Sequence, residues 1–244
     1  MDNDDARVGR LLTRREALTL LGVGSVGFVT GCASDTRSTD NGTLIPGCVV
    51  RPQQTEGPYF VDEKLNRSDI RPDPATGAVK AGAPLVLTFN VSRISGSSCT
   101  PLPNAYVDVW HCDAAGVYSD VRDPGFVTTG QKFLRGYQVT DSSGMARFTT
   151  IYPGWYQGRA VHVHFKIHIN ASVTSGYVFT SQLYFDDALT DKVHAQQPYA
   201  SKGRRTLRNS GDGIFTGGGS QLLLSVAENA GNYSSAFDIG LAIA

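Results

Sequence analysis

The sequence predicts a mostly-β chain folded as a two-sheet β-sandwich with short helices and long loops. Three observations carry that expectation. Short stretches alternate apolar and polar residues with a period of two, the mark of strands with unlike faces. Turn residues punctuate them, and the 27 glycines and 11 prolines suit many strands and turns better than long helices. No sustained helical periodicity and no internal repeat runs through the 244 residues. Large all-β units often reach this length as one domain. Hydrophobic content of 41% with 18% charged residues is ordinary for a folded globular protein. A formal net charge of zero gives no reason to expect nucleic acid or any strongly charged partner.

Residues 1–32 read as a targeting segment. Thr13-Arg14-Arg15-Glu16-Ala17-Leu18 is a twin-arginine pattern, and the apolar run Leu18–Val29 behind it falls short of the about 20 residues that span a bilayer. Val29-Thr30-Gly31-Cys32 resembles a bacterial lipoprotein cleavage box, which implies a lipid anchor at Cys32. The expected location is therefore exported, either tethered to the outer side of the cytoplasmic membrane or extracellular. Residues 33–47 are rich in Ser, Thr, Asp, Asn and Gly and read as a flexible tether. The folded domain is expected over 48–244. Of Cys48, Cys99 and Cys112, two could pair outside the cytoplasm, and spacing does not choose which.

Within the domain, Leu85, Leu87, Phe89 and Val91 mark a first strand, and 94–99 reads as a Gly/Ser connection. Ala105, Val107 and Val109 mark a second strand, which runs into a turn at Gly116. A longer loop (119–132) precedes a strand near 134–140. Asp141-Ser142-Ser143-Gly144 is a hairpin signal leading into a strand at 145–151. Strands are also expected at 181–185, near 222–226 and at 236–243, with a short helix capped by Asp186 or Asp187 and running to about His194.

The stretch 151–169 carries the chemistry. Val161, Val163, Phe165, Ile167 and Ile169 share one strand face, and His162, His164, Lys166 and His168 share the other, giving a half-buried strand. Two imidazoles two residues apart enter the same small volume, and the turn at Pro153-Gly154 can swing Tyr156 over them. Such donors suit a transition metal. Taken alone, a His-x-His pair reads more readily as ordinary polar residues on a solvated face. His111 and His194 read as surface or hydrogen-bonded structural residues.

Taken together, five stretches resemble the intradiol ring-cleavage dioxygenase family, that of catechol and protocatechuate dioxygenases. They are Thr55-Glu56-Gly57-Pro58-Tyr59, the run from Val107-Asp108-Val109-Trp110 to Gly116-Val117-Tyr118, Pro153-Gly154-Trp155-Tyr156, Arg159-x-x-His162-x-His164, and Thr180-Ser181-Gln182-Leu183-Tyr184-Phe185. The resemblance implies Fe(III) held by Tyr118, Tyr156, His162 and His164. It also implies a catechol-type substrate and O2, with ring opening between the two hydroxylated carbons to a cis,cis-muconate-type product. By analogy Tyr156 acts as base for a substrate hydroxyl, Arg159 stabilises negative charge on the ring, and Gln182 holds the same region. Pro58 and Tyr59 resemble residues that line the pocket, while Trp110 and Trp155 read as packing beneath the site, with Trp155 also placed to border the substrate. Phenolates are hard, charged donors that favour Fe(III), whereas zinc more usually takes His, Cys or carboxylate.

The segment between Tyr156 and His162 is shorter than in well-known members, which implies a more open mouth and catechols or bulkier substituted catechols rather than protocatechuate. The helical N-terminal region used for dimerisation in some members is missing, so oligomeric state stays open, with a homodimer one option. Two competing readings remain. One is a non-catalytic lipoprotein of the same sandwich that binds aromatics or sugars. The other is a zinc hydrolase on His162 and His164, for which no third ligand stands out.

Overall fold

Two sheets form the body of the protein in a computed structural model that describes residues 49–96, 98–170 and 176–243. The expected targeting segment and tether, with Cys32 and Cys48, lie outside the described residues. The first sheet centres on β1 (Pro84–Ser95), which pairs in parallel with β11 (Asn232–Ala242) on one side. On its other side β1 pairs antiparallel with β7 (Met145–Ile151) and, further along, with β2 (Ser98–Pro101). β10 (Ala227–Asn229) extends the sheet beyond β11. The second sheet has four antiparallel strands in the order β6 (Arg135–Val139), β3 (Tyr106–Trp110), β8 (His162–His168), β9 (Val178–Tyr184). A small hairpin, β4 (Arg122–Asp123) with β5 (Phe126–Val127), stands apart from both.

The alternation in β1 and β8 fills the space between the sheets. Phe89 meets Phe165 at 5.3 Å and Phe237 at 5.9 Å between ring centroids, and Phe165 and Phe237 meet at 5.5 Å. Leu85, Leu87, Val163 and Ile167 surround these rings and are likewise buried. Burying each such side chain stabilises the fold by about 1.5–3 kcal/mol relative to exposure. Helix α1 (Asp187–His194) starts where expected, because the Asp186 carboxylate accepts from Ala188 N and Leu189 N, both at 2.9 Å. A second short helix, α2, spans Gly213–Thr216.

Four expectations need correction. β8 is buried on both faces, not half-buried, because its polar face is roofed by loops. Lys166 shows how: its ammonium pairs with Glu56 and sits 3.7 Å from the Phe60 ring centroid. The turn at 141–144 closes as predicted, with Gly144 N donating to Asp141 O at 2.9 Å. It joins no hairpin, however: β6 and β7 belong to different sheets, so the turn carries the chain across the sandwich. The Gly/Ser connection at 94–99 is largely strand, since β1 runs on to Ser95 and β2 folds back on it. The strand near 222–226 is absent; Leu223 only bridges to Tyr184, and the pairing strand is β10. Cys99 is disulfide-bonded, and Cys112 is a free, buried thiol whose pKa burial raises to about 12.

Candidate metal centre

Sheet register sets out the floor of the site. Across the four-stranded sheet, Arg135, Trp110, His164 and Gln182 occupy one row, and two residues along, His162 lies opposite Tyr184. His162 and His164 therefore project from the same face. Their Nε2 atoms lie 3.0 Å apart.

Two turns bring phenols to the same point. Tyr118 Oη lies 3.4 Å from His162 Nε2, and Tyr156 Oη lies 3.2 Å from it. The first turn, 113–118, is an Asx turn: Asp113 Oδ1 accepts from Ala115 N at 2.9 Å and Val117 N at 3.0 Å. Asp113 O then accepts from Gly116 N at 2.8 Å and, across to the second turn, from Gly154 N at 3.1 Å. Gly116 has φ +79°, and a Cβ there would sit 2.2 Å from Trp155 O. A Cβ on Gly154 would sit 2.5 Å from the carbonyl oxygens of Asp113 and Ala114. The two tyrosine turns thus interlock backbone to backbone, which only glycine permits. Tyr59 stacks on Tyr118 at 4.5 Å, and its hydroxyl donates to Asp123 at 2.7 Å.

Electrostatics prepare the imidazoles as neutral donors. His162 Nδ1 donates to Ala160 O at 2.7 Å, which leaves the Nε2 lone pair facing the phenols. Burial, and next the Arg159 charge, hold both histidines well below the ordinary imidazole pKa. Burial likewise pushes the Tyr118 phenol well above its ordinary value, with Tyr156 adding to the shift. A phenol so placed ionises readily only beside a strong positive charge. Two buried imidazoles, the buried Tyr118 phenol and the half-buried Tyr156 phenol fit a trivalent cation of the Fe(III) kind by donor chemistry and number. Among the described residues, no three His, Cys, Asp or Glu side chains cluster in a way that could hold a metal, so a zinc site lacks its further ligands.

Arg159 is fixed from two sides. Its Nε donates to Asp212 Oδ2 at 3.0 Å, and its Nη2 donates to Gln182 Oε1 at 2.5 Å. Gln182 Nε2 in turn donates to Thr55 O at 3.0 Å. Sequence reading missed Asp212. It is 2% exposed and caps α2 through Oδ1, which accepts from Ile214 N at 2.7 Å, while Oδ2 also accepts from Ala160 N at 2.8 Å. An Asp-Gly ahead of a short helix was the available signal, but the partner lies 53 residues away. Arg135 was missed too: buried beneath the site, it donates to Ser119 Oγ at 2.7 Å, to Tyr59 O at 3.2 Å and to Ser119 O.

A cleft of about 580 Å³ opens over these groups, lined by Pro58, Tyr59, Tyr118, Phe126, Tyr156 and Arg159 among others. Trp155 is not in its wall; its Nε1 donates to Gly203 O at 3.1 Å, with Lys202 Nζ 4.9 Å from the ring centroid. His111 and His194 are buried and hydrogen-bonded. His168 pairs with Asp108 at 2.8 Å, at the opposite end of β8 from His162.

A β-sandwich with a recessed His-x-His strand facing two turn-borne phenols beside an arginine-bordered cleft defines a class of protein whose donor set suits a single metal ion. A family model described as Dioxygenase matches residues 55–209. The chain is 28% identical over 182 residues to chlorocatechol 1,2-dioxygenase of Pseudomonas putida, covering 65% of this chain and 65% of that protein's length. It is 33% identical over 164 residues to the protocatechuate 3,4-dioxygenase beta chain of Burkholderia cepacia, covering 64% and 69%. Among solved structures, the intradiol ring-cleavage dioxygenase from Tetranychus urticae superposes with a TM-score of 0.68 at 28% identity, over 80% of this chain and 95% of that one. The chain belongs to the intradiol ring-cleavage dioxygenase family.

Proposed function

We propose that the protein is an enzyme that uses ferric iron and O2 to open a catechol-type ring between its two hydroxylated carbons, giving a cis,cis-muconate-type product. The observation that carries this reading is the convergence of Tyr118, Tyr156 and His164 within 3.4 Å of His162 Nε2. These four side chains would hold the metal. Bound Fe(III) supplies Lewis acidity toward the diol oxygens and takes up electron density from the ring. Tyr156, carried on the Pro153-Gly154 turn at the cleft wall, takes a proton at Oη from a substrate hydroxyl. Arg159, its guanidinium aimed by Asp212 and Gln182, stabilises negative charge that develops on the ring. Pro58, Tyr59 and Phe126 provide walls against which a flat diol can lie.

A cleft of about 580 Å³ falls within the range of sites that take drug-sized ligands and exceeds the needs of a single ring. This supports substituted, bulkier catechols over protocatechuate. The purified, iron-loaded protein is expected to be wine-red from tyrosinate bound to Fe(III) and to consume O2 with catechols. Tyr156→Phe is expected to lower kcat/KM by about 10²–10⁴ and, like Tyr118→Phe, to shift or bleach the colour. Intact colour in both variants would remove the ligand assignment. A coloured protein inert toward O2 would favour the binding reading.

The location proposed is extracytoplasmic, with a lipid tether at Cys32. The twin-arginine pattern supports it, and the disulfide at Cys99 suits an oxidising compartment. Cys32→Ser is expected to move the protein from the membrane fraction to the soluble one. Unchanged partition would end that proposal.

A further inference from the structure

The two strand histidines are held in different ways. His162 has its Nδ1 hydrogen bond to Ala160 O, which fixes both its tautomer and the direction of its ring. His164 Nδ1 is buried with no hydrogen-bond partner among the described residues. Imidazoles that ligate metals ordinarily have their second nitrogen anchored by a carbonyl, a carboxylate or water. Among the described residues, packing is what orients His164.

Trp110 supplies that packing. It faces His164 across the β3–β8 register, and the rings stack with centroids 5.0 Å apart and planes 7° apart. The indole is 2% exposed and is backed by Phe60 at 4.8 Å. Among the described residues its own Nε1 is also buried without a partner, so toward His164 the indole contributes flat surface. Nearest to His164 among the other rings are His162, at 4.6 Å and 81°, and Tyr118, at 6.1 Å and 61°. Both meet it edge to face and leave rotation about its Cβ–Cγ bond to be limited by the indole.

We infer that Trp110 is the positioning residue for His164, its indole face doing for this imidazole what the Ala160 carbonyl does for His162. The inference rests on the reading of the four rings as an iron site. An internal control exists on the same sheet: Tyr106 stacks on His168 at 5.0 Å and 14°, and His168 lies away from the four rings.

The test compares iron-loaded wild type with Trp110→Leu, Trp110→Phe and Tyr106→Leu, measuring the iron dissociation constant by chelator competition together with the ferric EPR line shape. Trp110→Leu is expected to weaken iron binding about 10–100-fold, the range for losing an outer partner of a metal ligand, and to broaden the EPR signal. Trp110→Phe, which keeps a smaller flat ring, should recover part of both, and Tyr106→Leu should change neither. Iron affinity within about twofold of wild type and an unchanged EPR signal in Trp110→Leu would overturn the inference. If that variant does not fold, Trp110→Phe decides alone, since an unaltered affinity and line shape there overturn it as well. A wild type that takes up iron without a tyrosinate band overturns the four-ring reading itself, and the inference with it.

Discussion

The histidine wall and the tyrosine wall of the four-ring site are built by different means. His162 and His164 belong to β8, which is paired on both sides, by β3 and by β9, so moving either imidazole means slipping a central strand. Tyr118 and Tyr156 lie outside every strand, on two turns that lock together through Asp113, Gly116 and Gly154. Arg135 braces the first of them from below by gripping Ser119 and the Tyr59 carbonyl. The difference places rigidity where two neutral donors must hold still. It leaves loop-borne groups at the cleft side, where the proposed mechanism asks Tyr156 to accept a proton. Each wall has one point on which its geometry depends most, and breaking these separately tests the contrast.

On the histidine wall that point is Asp212. Its carboxylate pairs with Arg159 and holds Ala160 N, so it controls the entry of the chain into β8. Arg159 and Asp212 side chains are only 5% and 1% exposed. Removing one partner of a buried pair leaves an uncompensated charge and costs about 3–5 kcal/mol. Asp212→Ala is expected to lose that much in urea unfolding. A loss below about 1 kcal/mol would show that the entry to β8 is held by other means.

On the tyrosine wall the point is Gly116. Alanine there must adopt φ +79° and place its Cβ 2.2 Å from Trp155 O. The left-handed conformation costs about 1–2 kcal/mol, and forced repacking adds about 1–3 kcal/mol, so Gly116→Ala should lose about 3 kcal/mol. Because Trp155 adjoins Tyr156, the colour of the iron-loaded protein should shift as well. Full stability and unchanged colour would mean the turns are not interlocked, and the contrast between the walls would fall.

The same contrast explains what the sequence could show. The two imidazoles were legible because a strand places residues two apart on one face, whatever the sheet around it. So were the core positions of β1, for the same reason. The helix cap at Asp186 was legible because its partners are two and three residues away. What was not legible depended on distance along the chain. Nothing local tells Asp141–Gly144 that it must cross between sheets, since that depends on where β1 and β3 lie. The burial of the polar face of β8 depends on Glu56 and Phe60, about a hundred residues earlier. Asp212 and Arg135 escaped notice because a charged side chain reads as solvated until its long-range partners are known. Tyr118 could be assigned to the site only through the family resemblance, as a turn fixes no side-chain direction by periodicity; for Tyr156 the Pro153-Gly154 turn showed that the approach was open, and no more.

Acid distinguishes the walls more gently. His111 closes β3 just before the tyrosine turn and is buried as a neutral ring. Nδ1 donates to Cys112 O at 2.8 Å, and Nε2 accepts from Thr150 Oγ1 at 2.7 Å, tying the four-stranded sheet to β7. Burial, the largest cause, lowers its pKa to about 4 from the ordinary 6.5. The unfolded chain therefore binds a proton that the folded chain refuses between these values. The stability that neutral His111 contributes is complete above pH 6.5 and is lost progressively as pH falls toward 4. At pH 5 the loss from this residue is about 2 kcal/mol, at 1.36 kcal/mol per pH unit. His162 and His164 shift in the same direction, so the informative quantity is a difference. His111→Gln should lose about 2 kcal/mol less than wild type when urea midpoints at pH 7.5 and pH 5 are compared. Equal losses in the two proteins would show that His111 is protonated as easily in the fold as in the open chain, and that the link from β3 to β7 does not depend on a neutral ring.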